Sequence, residues 1–272
     1  MNTPYVARDP GPNRNISSTP PLRLFVILGG AALLLAFVAW LILGALVGVV
    51  ARSMPDSLEA RLGNLLMLEA MQDEQWIPAR DDLQLIVDDL GSQLPERDFR
   101  YRVYVHDHPI PNAFAAPGGG IVVHSGLLEF AESENEVAMV LAHELAHHAH
   151  RDHLEGIGRS LVLAVILNAV FGGNSGLDQL TGAGAQGLTL KMSRDDEREA
   201  DRLGLLLLDG RYGHVGGALD FFERAGDQPG GTPASWLSTH PLSSDRIERL
   251  RKEIDANHYA VDATRPLQIA MP

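Results

Sequence analysis

The sequence contains no cysteine. That absence excludes a disulfide framework and a thiolate metal site, so any bound metal must be held by imidazole and carboxylate groups. Basic side chains are also scarce, 22 against 35 acidic ones, which gives a formal charge of −13. Phosphate recognition needs a basic surface, and nucleic acid is excluded as a partner on that ground. A third absence is local: from Leu24 to Ala51 there is no charged side chain. This run exceeds the roughly 20 apolar residues that cross a hydrocarbon core, and it predicts a transmembrane helix over residues 24–51. A cleavable signal would have an apolar region of only about 7–15 residues, so an uncleaved anchor in the lipid bilayer is expected.

At 272 residues and 45% hydrophobic content, the chain can hold one ordinary domain with appendages. Residues 1–23 are rich in proline, Asn, Ser and Thr and read as a disordered tail. Arg8, Arg14 and Arg23 precede the apolar run, whereas Arg52 and Arg61 follow it. Because the more basic flank tends to stay in the cytoplasm, the N-terminus is expected there. Residues 52–272 are then expected on the other side, the periplasm in a bacterium.

Beyond the anchor, Leu58, Leu62, Leu65, Leu66 and Leu68 recur at helical spacings, and residues 52–95 read as a helical packing arm. Phe99, Tyr101, Val103 and Val105 alternate with polar neighbours as in a half-buried strand. Pro117 and three glycines then separate short apolar runs, which predicts a hairpin with Ile121, Val122 and Val123 on its return strand. Ser133 followed by Glu136 is a capping signal for an apolar helix, expected to end near Asp152 and the glycines 156–158. Residues 160–171 are expected to form a short core helix, since they are too few to span a bilayer; a membrane-dipping hairpin is the other reading. A glycine-rich loop at 172–187 and three further helical segments follow. The fold class is therefore mainly α with a small sheet (α+β), with a domain at 96–257 and a C-terminal tail at 258–272.

Within the capped helix the stretch MVLAHELAHHAH carries the chemistry. His143 and His147 are four residues apart, about 40° from alignment on a helix, so both rings project from one face toward a single point. Glu144 can reach a water on a metal held there without coordinating it, as a general base must. A catalytic zinc site keeps three protein ligands and one open position, so a third ligand is required. His153 would fit the metzincin spacing, but the glycine that turns the chain back is replaced by His150. A continuing helix would swing His153 through about 600° to the wrong face. Glu197 is the better candidate, because Asp201 one turn later can accept the second ring N–H of a ligating imidazole. His106, His108, His148, His150 and His214 read as surface or capping groups.

Four segments in order resemble the gluzincins of metallopeptidase family 48: NAFAAPGGGIVVHSGLL, ENEVAMVLAHELAHHAHRD, SRDDEREADRLG and STHPLSSDRIERL. The resemblance implies a zincin-like metallopeptidase domain with one zinc ion on His143, His147 and Glu197, Glu144 as base, and Asp201 behind the ligands. It also draws in His240, as an oxyanion donor or a resting ligand, and Arg246 in support. The substrate is then an extended polypeptide, which an edge strand at Asn112, Ala113 and Phe114 could hold by β-augmentation. The activity so implied is a membrane-anchored endopeptidase acting on unfolded or membrane and envelope proteins, in protein quality control. A tethered chaperone-like or binding protein that rarely cleaves is the alternative.

Overall fold

The computed structural model describes residues 21–72, 75–78, 80–171, 192–226, 240 and 244–268, and only the backbone of 21, 167–171 and 244. Of the tail read over residues 1–23, residues 1–20 lie outside the described residues, as does the glycine-rich loop at 172–187, whereas residues 21–23 open a helix rather than a tail.

Helix α1 (Pro21–Ser53) contains the whole apolar run and is long and apolar enough to cross a membrane. Helix α2 (Asp56–Ala70) inverts the expected packing, since its covered face is Glu59, Gly63 and Met67 while Leu58, Leu65 and Leu68 are exposed. Gly63 explains the choice of face. A Cβ there would lie 1.8 Å from the Pro117 carbonyl oxygen, so α2 rests directly on the turn at Pro117–Gly119.

Strand β1 (Trp76–Ile77) and helix α3 (Asp81–Gly91) follow, and Leu83, Ile86, Val87 and Leu90 of α3 are fully buried in the main core. The span read as an arm thus supplies core as well. Strands β2 (Arg102–His106), β3 (Ala113–Ala116) and β4 (Gly120–His124) complete a sheet of order β1-β2-β4-β3. β4 pairs parallel with β2 and antiparallel with β3. The expected hairpin is β3 and β4, and its turn needs glycine because Gly118 and Gly119 have φ of 73° and 87°.

Short helix α4 (Ser125–Phe130) leads into α5 (Glu134–His150). Ser133 Oγ accepts the Glu136 N–H at 3.3 Å, as the capping signal predicts. The chain near the C-terminus returns to the same place: Glu134 N–H donates to the Arg265 carbonyl at 3.0 Å, and Arg265 N–H to Asn135 Oδ1 at 2.8 Å. From Val137 to His148 every residue of α5 is buried, because the sheet, α3 and a later helix enclose it on all sides.

The end of α5 differs from expectation. It stops at His150 because Arg151 is left-handed, with φ 64°, and a new helix, α6 (Asp152–Phe171), begins at once. Strain at this non-glycine position is offset by the Arg151 guanidinium. It donates to the carbonyls of Ala51, Arg52 and Met54 at 3.0, 3.2 and 2.5 Å and to Asp56 at 2.6 Å. The glycines expected to end α5 lie inside α6, where Gly158 admits the Val47 side chain of α1; a Cβ would meet it at 2.4 Å. The segment 160–171 is the distal part of α6 rather than a separate core helix, and Leu161, Leu163 and Val165 are exposed. Helices α7 (Arg194–Tyr212), α8 (Asp220–Gly226) and α9 (Ser244–Ala256) finish the fold.

Candidate metal centre

Two helices deliver the site. On α5, His143 and His147 face the same way one turn apart, and both are buried. On α7 a capping box between Ser193 and Asp196 fixes the first turn, which sets Glu197 in that turn and Asp201 one turn on. The His143 and His147 Nε2 atoms lie 3.0 Å apart, and the Glu197 carboxylate oxygens are 3.5 Å from each. His240 joins them: its Nδ1 is 2.7 Å from Glu197 Oε1 and 3.2 Å from His143 Nε2. One ligand atom from each of these four residues falls within 4.8 Å of the others.

The outer ring nitrogens show what the inner ones can do. His143 Nδ1 is 3.2 Å from Asp201 Oδ1, and His147 Nδ1 is 2.8 Å from Asp152 Oδ2. With those protons committed to carboxylates, both Nε2 atoms present lone pairs, and together with Glu197 they form a set of acceptors aimed at one point. Such a set is repulsive without a cation, and it suits a divalent metal bound by nitrogen and oxygen.

The surrounding carboxylates favour positive charge at this point, which a proton supplies when no cation is bound. Burial opposes a charge on His147, yet Asp152, Glu197 and Glu144 outweigh it and hold the ring up at about 10. Burial would likewise raise Glu197, but His143, His147 and His240 pull it far below the usual carboxylate range. Burial pushes His240 down, against the pull of Glu144 and Glu197.

Arg246 is buried at the back of the site. Its guanidinium bonds Asp201 at 2.7 and 2.9 Å, meets Glu197 Oε2 at 2.7 Å, and lies 5.0 Å over the Phe222 ring. It therefore fixes the two carboxylates of α7 that face the site, Glu197 and Asp201. Burial opposes the Arg246 charge, and Asp201 and Glu197 reverse that and raise it. Glu144 stands beside the ligands, with Oε1 3.4 Å from His240 Nε2.

The sequence marks Asp152 only as a helix end, not as a partner of the site. Its signal is an acidic residue five positions after the second histidine, and that becomes informative only once the left-handed Arg151 folds it back onto the ring. His153 does not approach the centre, but for another reason than helix continuation: after the break its Nε2 lies 3.2 Å from Glu59 Oε1. His148, expected at the surface, is buried, and its Nε2 is also 3.2 Å from Glu59 Oε1. This second group differs from the first. The two rings stack at 4.4 Å, Gly119 N–H already donates to His148 Nε2 at 3.1 Å, and neither Nδ1 has a hydrogen-bond partner among the described residues. It ties α2 and the Pro117–Gly119 turn to the α5–α6 junction.

The residues expected to hold substrate lie at the sheet edge. Asn112 accepts the His124 N–H at 2.9 Å just before β3, and the register pairs Phe114 with Val122. The main-chain groups of Phe114 therefore point toward β4, while those of Ala113 and Ala115 point to the outer edge. No strand covers that edge among the described residues.

Comparison with known proteins bears on the whole arrangement. The family model described as Peptidase family M48 matches residues 80–254. The mitochondrial metalloendopeptidase OMA1 of Schizosaccharomyces pombe is 35% identical over 162 residues, covering 57% of this chain and 47% of that protein. The OMA1 of Arabidopsis thaliana is 36% identical over 178 residues, 65% of this chain and 36% of its own length. The beta-barrel assembly-enhancing protease of Yersinia pestis is 32% identical over 165 residues, 56% of this chain and 34% of that one. The chain thus spans about half or less of the length of these curated relatives.

Proposed function

The chain belongs to peptidase family M48 and is a metallopeptidase, and from that premise we propose that it is a membrane-anchored zinc endopeptidase cleaving extended segments of unfolded, membrane or envelope proteins. The observation that carries this reading is the convergence of His143, His147 and Glu197 on one point with Glu144 beside it. A donor set of two imidazoles and a carboxylate, without cysteine, suits zinc among the common metals. A zinc ion held there supplies Lewis acidity, polarising the scissile carbonyl and making an attacking water more acidic.

The side chains do the rest. Glu144 accepts the proton of the attacking water and returns it to the leaving amine. His240, with Nδ1 among the ligand atoms and Nε2 toward Glu144, occupies the corner a substrate carbonyl must enter, which supports the resting-ligand role. When displaced, the same ring can donate to the developing oxyanion. Arg246 holds Asp201 against His143 and so fixes the ligand ring. Ala113 and Ala115 offer the outward main-chain groups to which an extended substrate can pair, one residue along from Phe114.

Anchoring through residues 24–51, with the N-terminus cytoplasmic and the catalytic domain on the periplasmic side, completes the proposal. It is supported by the exposed apolar surface of α1 and the Arg8, Arg14 and Arg23 flank. Glu144→Gln tests the catalytic core. Bound zinc and fold are expected to survive while cleavage of casein falls by at least about a hundredfold. Undiminished cleavage refutes the proposal, and intact cellular function of the non-cleaving variant would favour a tethered binding protein.

A further inference from the structure

The distal part of α6 has no place in the catalytic chemistry, yet it is built in an unusual way. No charged residue occurs from Ser160 to Phe171. Leu161, Leu163 and Val165 are 45%, 46% and 57% exposed, whereas Ala164 is buried. The charges of α6, Asp152, Glu155 and Arg159, all fall in the segment before Ser160.

What lies beside this helix is α1. Arg151 meets the carbonyl of Ala51, Glu155 approaches Gly48, and Gly158 takes Val47. Ascending numbers on α6 meet descending numbers on α1, so the two helices run antiparallel and α6 points back along the apolar run. Arg52 at the end of that run pairs with Glu155 at 3.0 Å, and Arg159 pairs with the same carboxylate at 2.9 Å. These charges form one layer at one level. Beyond it α6 carries no charge and only Ser160 and Asn168 are polar, and α1 carries no charge back to Arg23.

We propose that α6 from Ser160 onward is embedded in the bilayer beside α1, with acyl chains covering Leu161, Leu163 and Val165. The inference rests on α1 being a membrane anchor. A helix packed along a membrane span shares its solvent, and exposed leucine and valine are stable there, whereas in water they are a liability. Arg159 is long enough to carry its charge back to the interface while its stem lies along the apolar layer. The metal centre is then held at the membrane surface. Asp152, which contacts His147, is the first residue of α6, and only about 12 Å of helix separates it from Ser160. The substrates favoured by this placement are polypeptide segments lying at or emerging from the bilayer surface.

The cysteine-free sequence permits a direct test. Single cysteines are introduced in the full chain by Leu163→Cys, Val165→Cys, Leu34→Cys on α1, and Leu206→Cys, which is exposed on α7. Each is labelled with bimane in phosphatidylcholine–phosphatidylglycerol vesicles. Quenching by brominated acyl chains is compared with quenching by iodide. Positions 163, 165 and 34 are expected to be quenched several-fold more by the lipid-borne quencher, and 206 by iodide. If 163 and 165 behave like 206 while 34 reports lipid, the embedding is overturned and the anchor stands. If 34 also reports water, both fall.

Discussion

Removal of the Asp152 carboxylate tests the metal centre at a point that the motif itself does not reveal. Asp152 Oδ2 is 2.8 Å from His147 Nδ1, and both side chains are largely buried. In Asp152→Ala the Nδ1–H loses its acceptor, the ring loses its orientation, and the imidazole becomes a weaker donor. Loss of such an outer partner lowers metal affinity by about 10–100-fold, or about 1.4–2.7 kcal/mol. Asp152→Asn keeps a carbonyl acceptor but not the charge, so an intermediate loss is expected. Asp152 also opens α6, where an acid interacts favourably with the helix N-terminus, so both variants should lose a further ~0.3–1 kcal/mol of stability. The two effects separate experimentally. Zinc affinity is measured by competition with a chromophoric chelator, and stability by thermal melting of the metal-free chain. An Asp152→Ala protein with native zinc affinity and intact fold would refute the assignment of this carboxylate to His147.

Three other outcomes follow from the packing. Arg246→Met leaves Asp201 and Glu197 buried without their cation, and a loss of about 3–5 kcal/mol in urea unfolding is expected; a loss below about 1 kcal/mol would show that the pair is not held by Arg246. Gly63→Ala forces the Cβ onto the Pro117 carbonyl and should cost about 1–3 kcal/mol, visible as a lower melting temperature. Burial, with His108 and His106 adding repulsion, lowers His124 from 6.5 to about 4. Between those two values the unfolded chain binds more protons, so this contribution is complete above about pH 6.5 and is lost as pH falls toward 4. His124→Asn should reduce the difference in stability between pH 7.5 and 4.5 by up to about 3 kcal/mol, and an unchanged difference would contradict it.

The sequence was most readable where local chemistry decides the structure. Ser133 and Glu136 marked the start of α5, alternation at Val103 and Val105 marked β2, and the four-residue spacings of His143 with His147 and of Glu197 with Asp201 gave the facing groups. It was least readable where a distant segment decides. Gly156 and Gly158 look like helix breakers, but both lie within a helix, and Gly158 admits Val47 of α1. The leucines of α2 look like a packing face, but Gly63 and Glu59 on the other side meet the Pro117–Gly119 turn and the buried histidines. Nothing local announces a left-handed arginine, and without it neither Asp152 nor the fate of His153 could be read. Residues read as a C-terminal tail likewise bond to the start of α5 through Arg265, a contact that no periodicity encodes.

Arg151 joins the last turn of α1 and the last turn of α5 through one rigid planar group. A guanidinium cannot stretch. If α1 anchors the chain as proposed, a roll or tilt of it in a bilayer of different thickness would either shed these carbonyls or drag residue 151 along. His147 is four residues upstream and its partner Asp152 is next in the chain, so under that proposal a movement of α1 would reach the His147 ring with almost no slack to absorb it.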